Sequence, residues 1–298
     1  MDKARTEILT KMPEQFFNSL SKCSFVNLEE IRFRIQRPVM LYYSDKVLYL
    51  SKNGATSIKE NLLFVSPEDI SYLMNAFCKS SVYAYQQEIN EGFITIDGGH
   101  RIGIAGRAVT ENGKLRNIEF ISSLNIRIAR EVKGSADCCL KYMTNERRIY
   151  NTVIISPPGV GKTTVLRDCA RQLSQNFKVS VVDERSELAA SMKGVPQFDI
   201  GEQTDVLDSF SKSAGIIRAL RSLSPDVIIT DEIGAEDDIF AISEILKGGC
   251  KIITSMHGYS LSSVMSKKRE LMELFEVAVL LKREENKVVA DECIRLWE

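Results

Sequence analysis

The chain has no surplus of positive charge: of its 298 residues, 39 are lysine or arginine and 40 are aspartate or glutamate. A protein that neutralises a phosphate backbone needs a basic face, so nucleic acid is not an expected partner. The chain also lacks any C-x-x-C pair. Its cysteines, Cys23, Cys78, Cys138, Cys139, Cys169, Cys250 and Cys293, are scattered and odd in number, which points to reduced, cytosolic usage without zinc or disulfides. No apolar h-region follows Met1-Asp2-Lys3-Ala4-Arg5, and no uninterrupted apolar run approaches the ~18 residues of a spanning helix. Membrane association is therefore expected only through partners.

The length favours two domains, each able to bury its own core. In the first half, Ile8, Met12, Phe16, Phe17 and Leu20 have the spacing of an amphipathic helix interrupted at Pro13. From Glu30 the period falls to two, and Ile31-Phe33-Ile35, Val39 to Tyr43 and Val47 to Leu50 read as three strands. Ser66-Pro67-Glu68-Asp69 is a helix start, with Ile70, Leu73, Met74 and Phe77 on one face as far as Cys78. Gly92 to Ile96 and Arg101 to Ala105 flank a turn, Asp97-Gly98-Gly99-His100, and Asn125 to Arg130 reads as a last strand. This predicts a small α+β domain over 1–130. No catalytic set is visible in it. Its arginines read as wet faces of half-buried strands, with Arg127 or Arg130 a possible arginine finger, and His100 reads as a surface turn residue. Residues 131–150 are expected to form a linker with a short helix.

The second half, 151–298, opens on Thr152-Val153-Ile154-Ile155-Ser156-Pro157-Pro158-Gly159-Val160-Gly161-Lys162-Thr163-Thr164. An apolar β-branched run, a Pro/Gly turn and Gly-Lys-Thr at the start of a helical pattern read as a nucleotide-binding P-loop. The glycines allow backbone N–H groups to converge on phosphate, and the helix N-terminus adds partial positive charge. Lys162 would reach the β- and γ-phosphates, and the Thr163 hydroxyl would take a place on Mg²⁺. Ser156 stands where the usual pattern has glycine.

Further along, Lys178 to Val182 reads as a strand ending in Asp183-Glu184-Arg185-Ser186-Glu187, and Val206, Leu207, Phe210, Ala214, Ile217 and Leu220 as a helix. Val227-Ile228-Ile229-Thr230 leads to Asp231-Glu232, Ile239 to Leu246 to a helix ended by Gly248-Gly249, and Cys250 to Gly258 to another strand. Strand–helix alternation predicts a mainly parallel sheet whose strand carboxyl ends hold the ligand. Asp231 suits the Mg²⁺ shell and Glu232 the attacking water. Glu184, Glu187 and His257 are further catalytic candidates, His257 as a γ-phosphate sensor. Asn286-Lys287-Val288-Val289 lacks the aspartate that guanine recognition needs, so ATP is the expected nucleotide.

These residues resemble the secretion and pilus-motor ATPases, the type II and type IV secretion traffic ATPases. Ser224-Pro225-Asp226-Val227-Ile228-Ile229 with Glu232 is similar to their Walker B segment, Asp183 to Glu187 to their Asp box, and Gly248-Gly249 through His257-Gly258 to their His box. The resemblance implies an α/β, RecA-like P-loop NTPase domain preceded by a small α+β, sensor-like N-terminal domain. Ile31-Arg32-Phe33-Arg34, Gly98-Gly99-His100-Arg101, Ile126 to Arg130 and Val181 to Glu187 resemble a sporulation branch of these proteins. That implies a hexameric, ATP- and Mg²⁺-dependent ATPase in the mother cell of an endospore former, peripheral to the membrane. It would dock on small integral-membrane proteins of a channel to the forespore. Asp231 stands where traffic ATPases often have glycine, and their tetracysteine site is absent. An ATP-binding assembly scaffold with little turnover is the alternative, and a nucleic-acid motor a third that the charge balance disfavours.

Overall fold

The computed structural model describes residues 3–79, 81–90, 92–111, 113–145, 148–233, 236–285 and 287–296. The chain divides into two compact units, Met1–Arg130 and Glu131–Glu298.

In the first unit, Pro13 ends one helix and starts another: α1 (Lys3–Leu9) and α2 (Glu14–Leu20) replace a single broken helix. Strands β1 (Leu28–Arg34), β2 (Met40–Tyr43), β3 (Val47–Ser51) and β4 (Gly54–Thr56) follow, then α3 (Pro67–Phe77) and the short α4 (Gln86–Asn90). Strands β5 (Phe93–Thr95), β6 (Arg101–Glu111) and β7 (Lys114–Arg127) complete a sheet in the order β4-β3-β2-β1-β7-β6-β5. Helix α3 starts with a reciprocal cap, in which the Ser66 hydroxyl accepts the Asp69 N–H at 3.2 Å and the Asp69 carboxylate accepts the Ser66 N–H at 2.9 Å. Ile8, Phe16, Leu20, Leu73 and Phe77 from the helices meet Ile31, Phe33, Leu41 and Ile126 from the strands in one core. Phe17, expected on the apolar face, is 41% exposed, because adjacent helical residues point about 100° apart and Phe16 takes the buried position.

His100 is a correction to the sequence reading, being 1% exposed. Its Nδ1 accepts the Ala129 N–H at 3.0 Å, which places the ring proton on Nε2, 3.3 Å from Glu7 Oε2. The turn that holds it is buried by α1, an element too distant in sequence for local composition to reveal.

The second unit begins inside the stretch expected as a linker. Helix α5 (Asp137–Met143) buries Cys139 and Met143 in the unit's core, and a two-stranded ribbon, β8 (Thr144–Asn145) and β9 (Arg148–Ile149), follows it. The main sheet has the order β12-β11-β13-β14-β10-β15-β16. Its strands are β10 (Thr152–Ser156), β11 (Val179–Asp183), β12 (Thr204–Asp208), β13 (Val227–Thr230), β14 (Lys251–His257), β15 (Val277–Glu284) and β16 (Lys287–Arg295). Neighbours are parallel as far as β15, and β16 returns antiparallel to it. The helices are α6 (Lys162–Leu173), α7 (Lys212–Ser222), α8 (Glu236–Lys247), α9 (Leu261–Lys267) and α10 (Arg269–Met272).

Val206 and Leu207, read from sequence as the start of a helix, lie instead in the edge strand Thr204–Asp208, and the helix starts at Lys212. Alternate strand residues feed two cores. Val153 and Ile155 pack with α7, α8, α9 and α10 on one side of the sheet, while Ile154 packs with α5 and α6 on the other. Helix α7 lies so close to β11 that a Cβ on Gly215 would sit 2.5 Å from Val182 Cγ1. Gly215→Ala should therefore destabilise the second unit by about 1–3 kcal/mol through overpacking. An unchanged denaturation midpoint would show that the helix is not seated this closely.

Candidate functional site

The pairing register of the parallel strands sets which side chains meet at their carboxyl ends. Ser156 on β10 lies opposite His257 on β14, and Val182 on β11 lies opposite Thr230 on β13. The turn Pro157–Gly161, Asp183, Asp231 and His257 consequently share one edge of the sheet. Within the turn Gly159 has φ +77° and Gly161 φ +125°, conformations that a Cβ strains, and a Cβ on Gly161 would also lie 3.0 Å from Val288 Cγ2. Pro158 and Gly159 are exposed, Val160 is buried, and Thr163 and Thr164 are half-buried at the start of α6. Gly161 caps α6 with no side-chain hydrogen bond, so the first-turn N–H groups remain for an anion.

Lys162 Nζ lies 3.3 Å from the Ser156 carbonyl, 3.5 Å from the Ser156 hydroxyl and 2.9 Å from His257 Nδ1. An ammonium only donates, so His257 Nδ1 accepts and its proton sits on Nε2, 3.1 Å from Glu232 Oε2. Burial holds the Lys162 pKa below its usual value, and Glu232 offsets only part of that. Ser156 is no obstacle to the turn, since its hydroxyl donates to the Pro157 carbonyl at 2.8 Å.

The acidic stretch after β11 divides into a scaffold and exposed groups. Asp183 is fully buried, and its two oxygens accept the N–H groups of Glu187 and Ala189, each at 2.8 Å. Burial raises its pKa against the pull of those N–H groups. From α6, the Arg167 guanidinium donates to the Leu188 carbonyl at 2.6 Å and the Glu187 carbonyl at 2.7 Å, and stacks 4.0 Å from the Phe198 ring. Burial pushes Arg167 down to about 10. The helix that carries Lys162 thus also grips the loop that carries Glu184 and Glu187. Glu184 turns to Lys212, 2.8 Å away, and Lys212 also lies 3.4 Å from Asp231 Oδ1.

The structure therefore lines up Lys162, hydrogen-bonded to His257, with Glu232 3.1 Å from the other ring nitrogen, and brings Glu184 and Asp231 together through Lys212. Lys212 and Arg167 escaped the sequence reading. A helix placed across 206–220 hid Lys212. Had Thr204 to Asp208 been read as a strand, Ser211-Lys212 would have fallen at a fifth strand end on the same edge.

The edge suits a magnesium ion. Asp231 Oδ1 is buried with no hydrogen-bond partner, and the Thr163 hydroxyl is on the adjoining helix start. Among the described residues no three His, Cys, Asp or Glu side chains form a metal cage. Such an ion would depend on phosphate and water for most of its shell. The two arginine-finger candidates differ. Arg130 donates to the carbonyls of Phe25 at 3.0 Å and Leu28 at 2.9 Å within its own unit. Arg127 is 63% exposed, with Nε 3.8 Å from Glu30. Asn286 lies outside the described residues.

This fold is that of the P-loop secretion ATPases. The chain superposes on the ATPase DotB of Legionella pneumophila with a TM-score of 0.58 at 17% identity, covering 92% of this chain and 78% of that one. On the pilus retraction motor PilT, solved with bound ADP, the TM-score is 0.54 at 11% identity, covering 91% and 80%. Within that fold, the chain belongs to the family described as sporulation stage III, protein AA, whose model matches residues 5–290. It is 40% identical over 279 residues to stage III sporulation protein AA of Bacillus subtilis (strain 168), covering 91% of this chain and 87% of that one.

Replacing Asp183 with asparagine would aim an NH₂ group at the N–H of Glu187 or Ala189. The expected loss is about 1–3 kcal/mol, with faster proteolytic cleavage between residues 184 and 190. Wild-type stability and cleavage in Asp183→Asn would contradict the scaffold role.

Proposed function

We propose that this protein is a magnesium-dependent ATPase of the secretion and pilus-motor type. It forms rings, most simply hexamers, in the mother cell, and energises a channel or secretion-like complex to the forespore by docking on small integral-membrane proteins. The observation that carries this reading is the chain Lys162–His257–Glu232 beside an uncapped helix start, with Asp231 Oδ1 orphaned close by. Membership of the sporulation family and the fold of its structural neighbours support the setting. No helix among the described residues is long and apolar enough to cross a membrane, so docking partners would supply the membrane contact.

The residues then divide the work. Backbone N–H groups from Gly159 to Thr163 hold the phosphates, with Ser156, Pro157, Pro158 and Val160 shaping the turn and Thr164 continuing it. Lys162 exchanges His257 for β- and γ-phosphate oxygens. His257, released from Lys162, reads the γ-phosphate by donating a ring N–H to it. Glu232 orients the attacking water and takes its proton. Thr163 and Asp231 hold the magnesium ion, which when bound neutralises charge on the β- and γ-phosphates. Glu184 and Glu187 flank the water from the loop tied to Asp183. Arg127 is the better placed of the two arginines to reach a phosphate of a neighbouring copy, because the Arg130 guanidinium is engaged within its own unit.

Phosphate release and light scattering on the same samples test the reading. Wild type should turn over ATP and assemble into rings with Mg-ATP. Lys162→Ala should lose binding, and Glu232→Gln should bind ATP while turnover falls about 100-fold or more. Turnover no higher than that of Lys162→Ala, alone and with the membrane partners, would reject the ATPase. A Glu232→Gln protein that supports sporulation fully would favour a nucleotide-bound scaffold.

A further inference from the structure

Four carboxylates, Asp183, Glu184, Asp231 and Glu232, stand at the carboxyl ends of β11 and β13, and two are almost fully buried. Asp183 is satisfied by main-chain N–H groups, and Glu232 lies 3.1 Å from His257 Nε2. The other two share one cation that the P-loop reading does not use. Lys212, the first residue of α7, has a side chain only 12% exposed, with Nζ 2.8 Å from Glu184 Oε2 and 3.4 Å from Asp231 Oδ1. The second contact makes no hydrogen bond. It compensates charge without saturating the oxygen. An ammonium held between two carboxylates in this way is a fixed positive charge at the strand ends. The seat of α7 against β11 at Gly215, one turn further on, holds it in place.

We propose that Lys212 is a tethered counter-ion that takes the place of a divalent cation beside Asp231, so that magnesium enters only with nucleotide, as Lys212 gives up Asp231 and keeps Glu184. This rests on the reading of Asp231 as a magnesium residue, and makes Lys212 a positioning residue. Two positive charges so close to one buried carboxylate repel each other in a medium that screens weakly. A bare divalent ion would have to displace the ammonium unaided. The triphosphate changes that balance, because its oxygens add ligands and negative charge that favour the divalent ion over a single ammonium. Glu184 provides the alternative partner, already at hydrogen-bond distance, so Lys212 need not be expelled into water to release Asp231.

The test uses the full chain without nucleotide and measures Mn²⁺ binding by the loss of the free-ion EPR signal. Wild type and Lys212→Arg should bind Mn²⁺ weakly. Lys212→Gln should bind one Mn²⁺ per chain about tenfold tighter or more, and Asp231→Asn added to it should abolish the gain. Near-UV circular dichroism checks the fold, and Lys212→Met carries the same expectation should the glutamine variant fail that check. Equal Mn²⁺ affinity in wild type and the neutral variants, or a gain that survives Asp231→Asn, would overturn the proposal. Binding of a fluorescent ATP analogue with Mg²⁺, followed in parallel, separates the two readings. Its absence in wild type refutes the nucleotide site itself, whereas its presence with unchanged Mn²⁺ affinity refutes only the role of Lys212.

Discussion

The site depends first on the parallel pairing of β10 with β14. Five consecutive residues of β10 are buried, and their hydrogen bonds to a strand on each side leave the register no freedom to slip. A slip by one residue would exchange Val153 and Ile155 with Ile154 between the two cores. The same register puts Ser156 opposite His257, and so decides that the lysine opening α6 meets that histidine. The chemistry at the edge is thus fixed by apolar packing in the middle of the sheet.

That edge is self-compensated. Lys162 and Lys212 each stand between two acceptors, the first between Ser156 and His257, the second between Glu184 and Asp231. Buried charges need such partners, because an unpaired one is strongly destabilising. Arg167 and Asp183 play a different part: they tie the acidic loop to the helix bearing Lys162 and to the end of β11. A shift of α6 would therefore be felt at Glu184 and Glu187 without any ligand bridging them.

Much of this was legible from sequence because the signals were local. The P-loop, the buried runs of β10, β11, β13 and β14, and the cap of α3 are each written within a dozen residues. What escaped was set by distant packing. Thr204 to Asp208 has too little apolar content to announce a strand, yet β11 supplies it with a full row of parallel partners. His100 sits in a turn of glycines and reads as exposed, but α1 covers it. Residues 131–150 carry the charge and glycine of a connector, while Cys139 and Met143 find burial only against α6 and the sheet. Lys212 was lost with the misplaced helix start, since its role depends on Glu184 and Asp231, neither adjacent to it in sequence.

The strand order has a consequence for how the chain reaches this state. Thr152 pairs with Ile253 on one side and Val277 on the other, partners that lie roughly a hundred residues or more further along the chain, so closing them carries a large loop entropy. Strand β10 lies inside the sheet, between β14 and β15, but cannot be secured early during synthesis. Until β14 and β15 have emerged from the ribosome it remains an unpaired apolar ribbon, the part of the nascent chain most in need of protection from other chains.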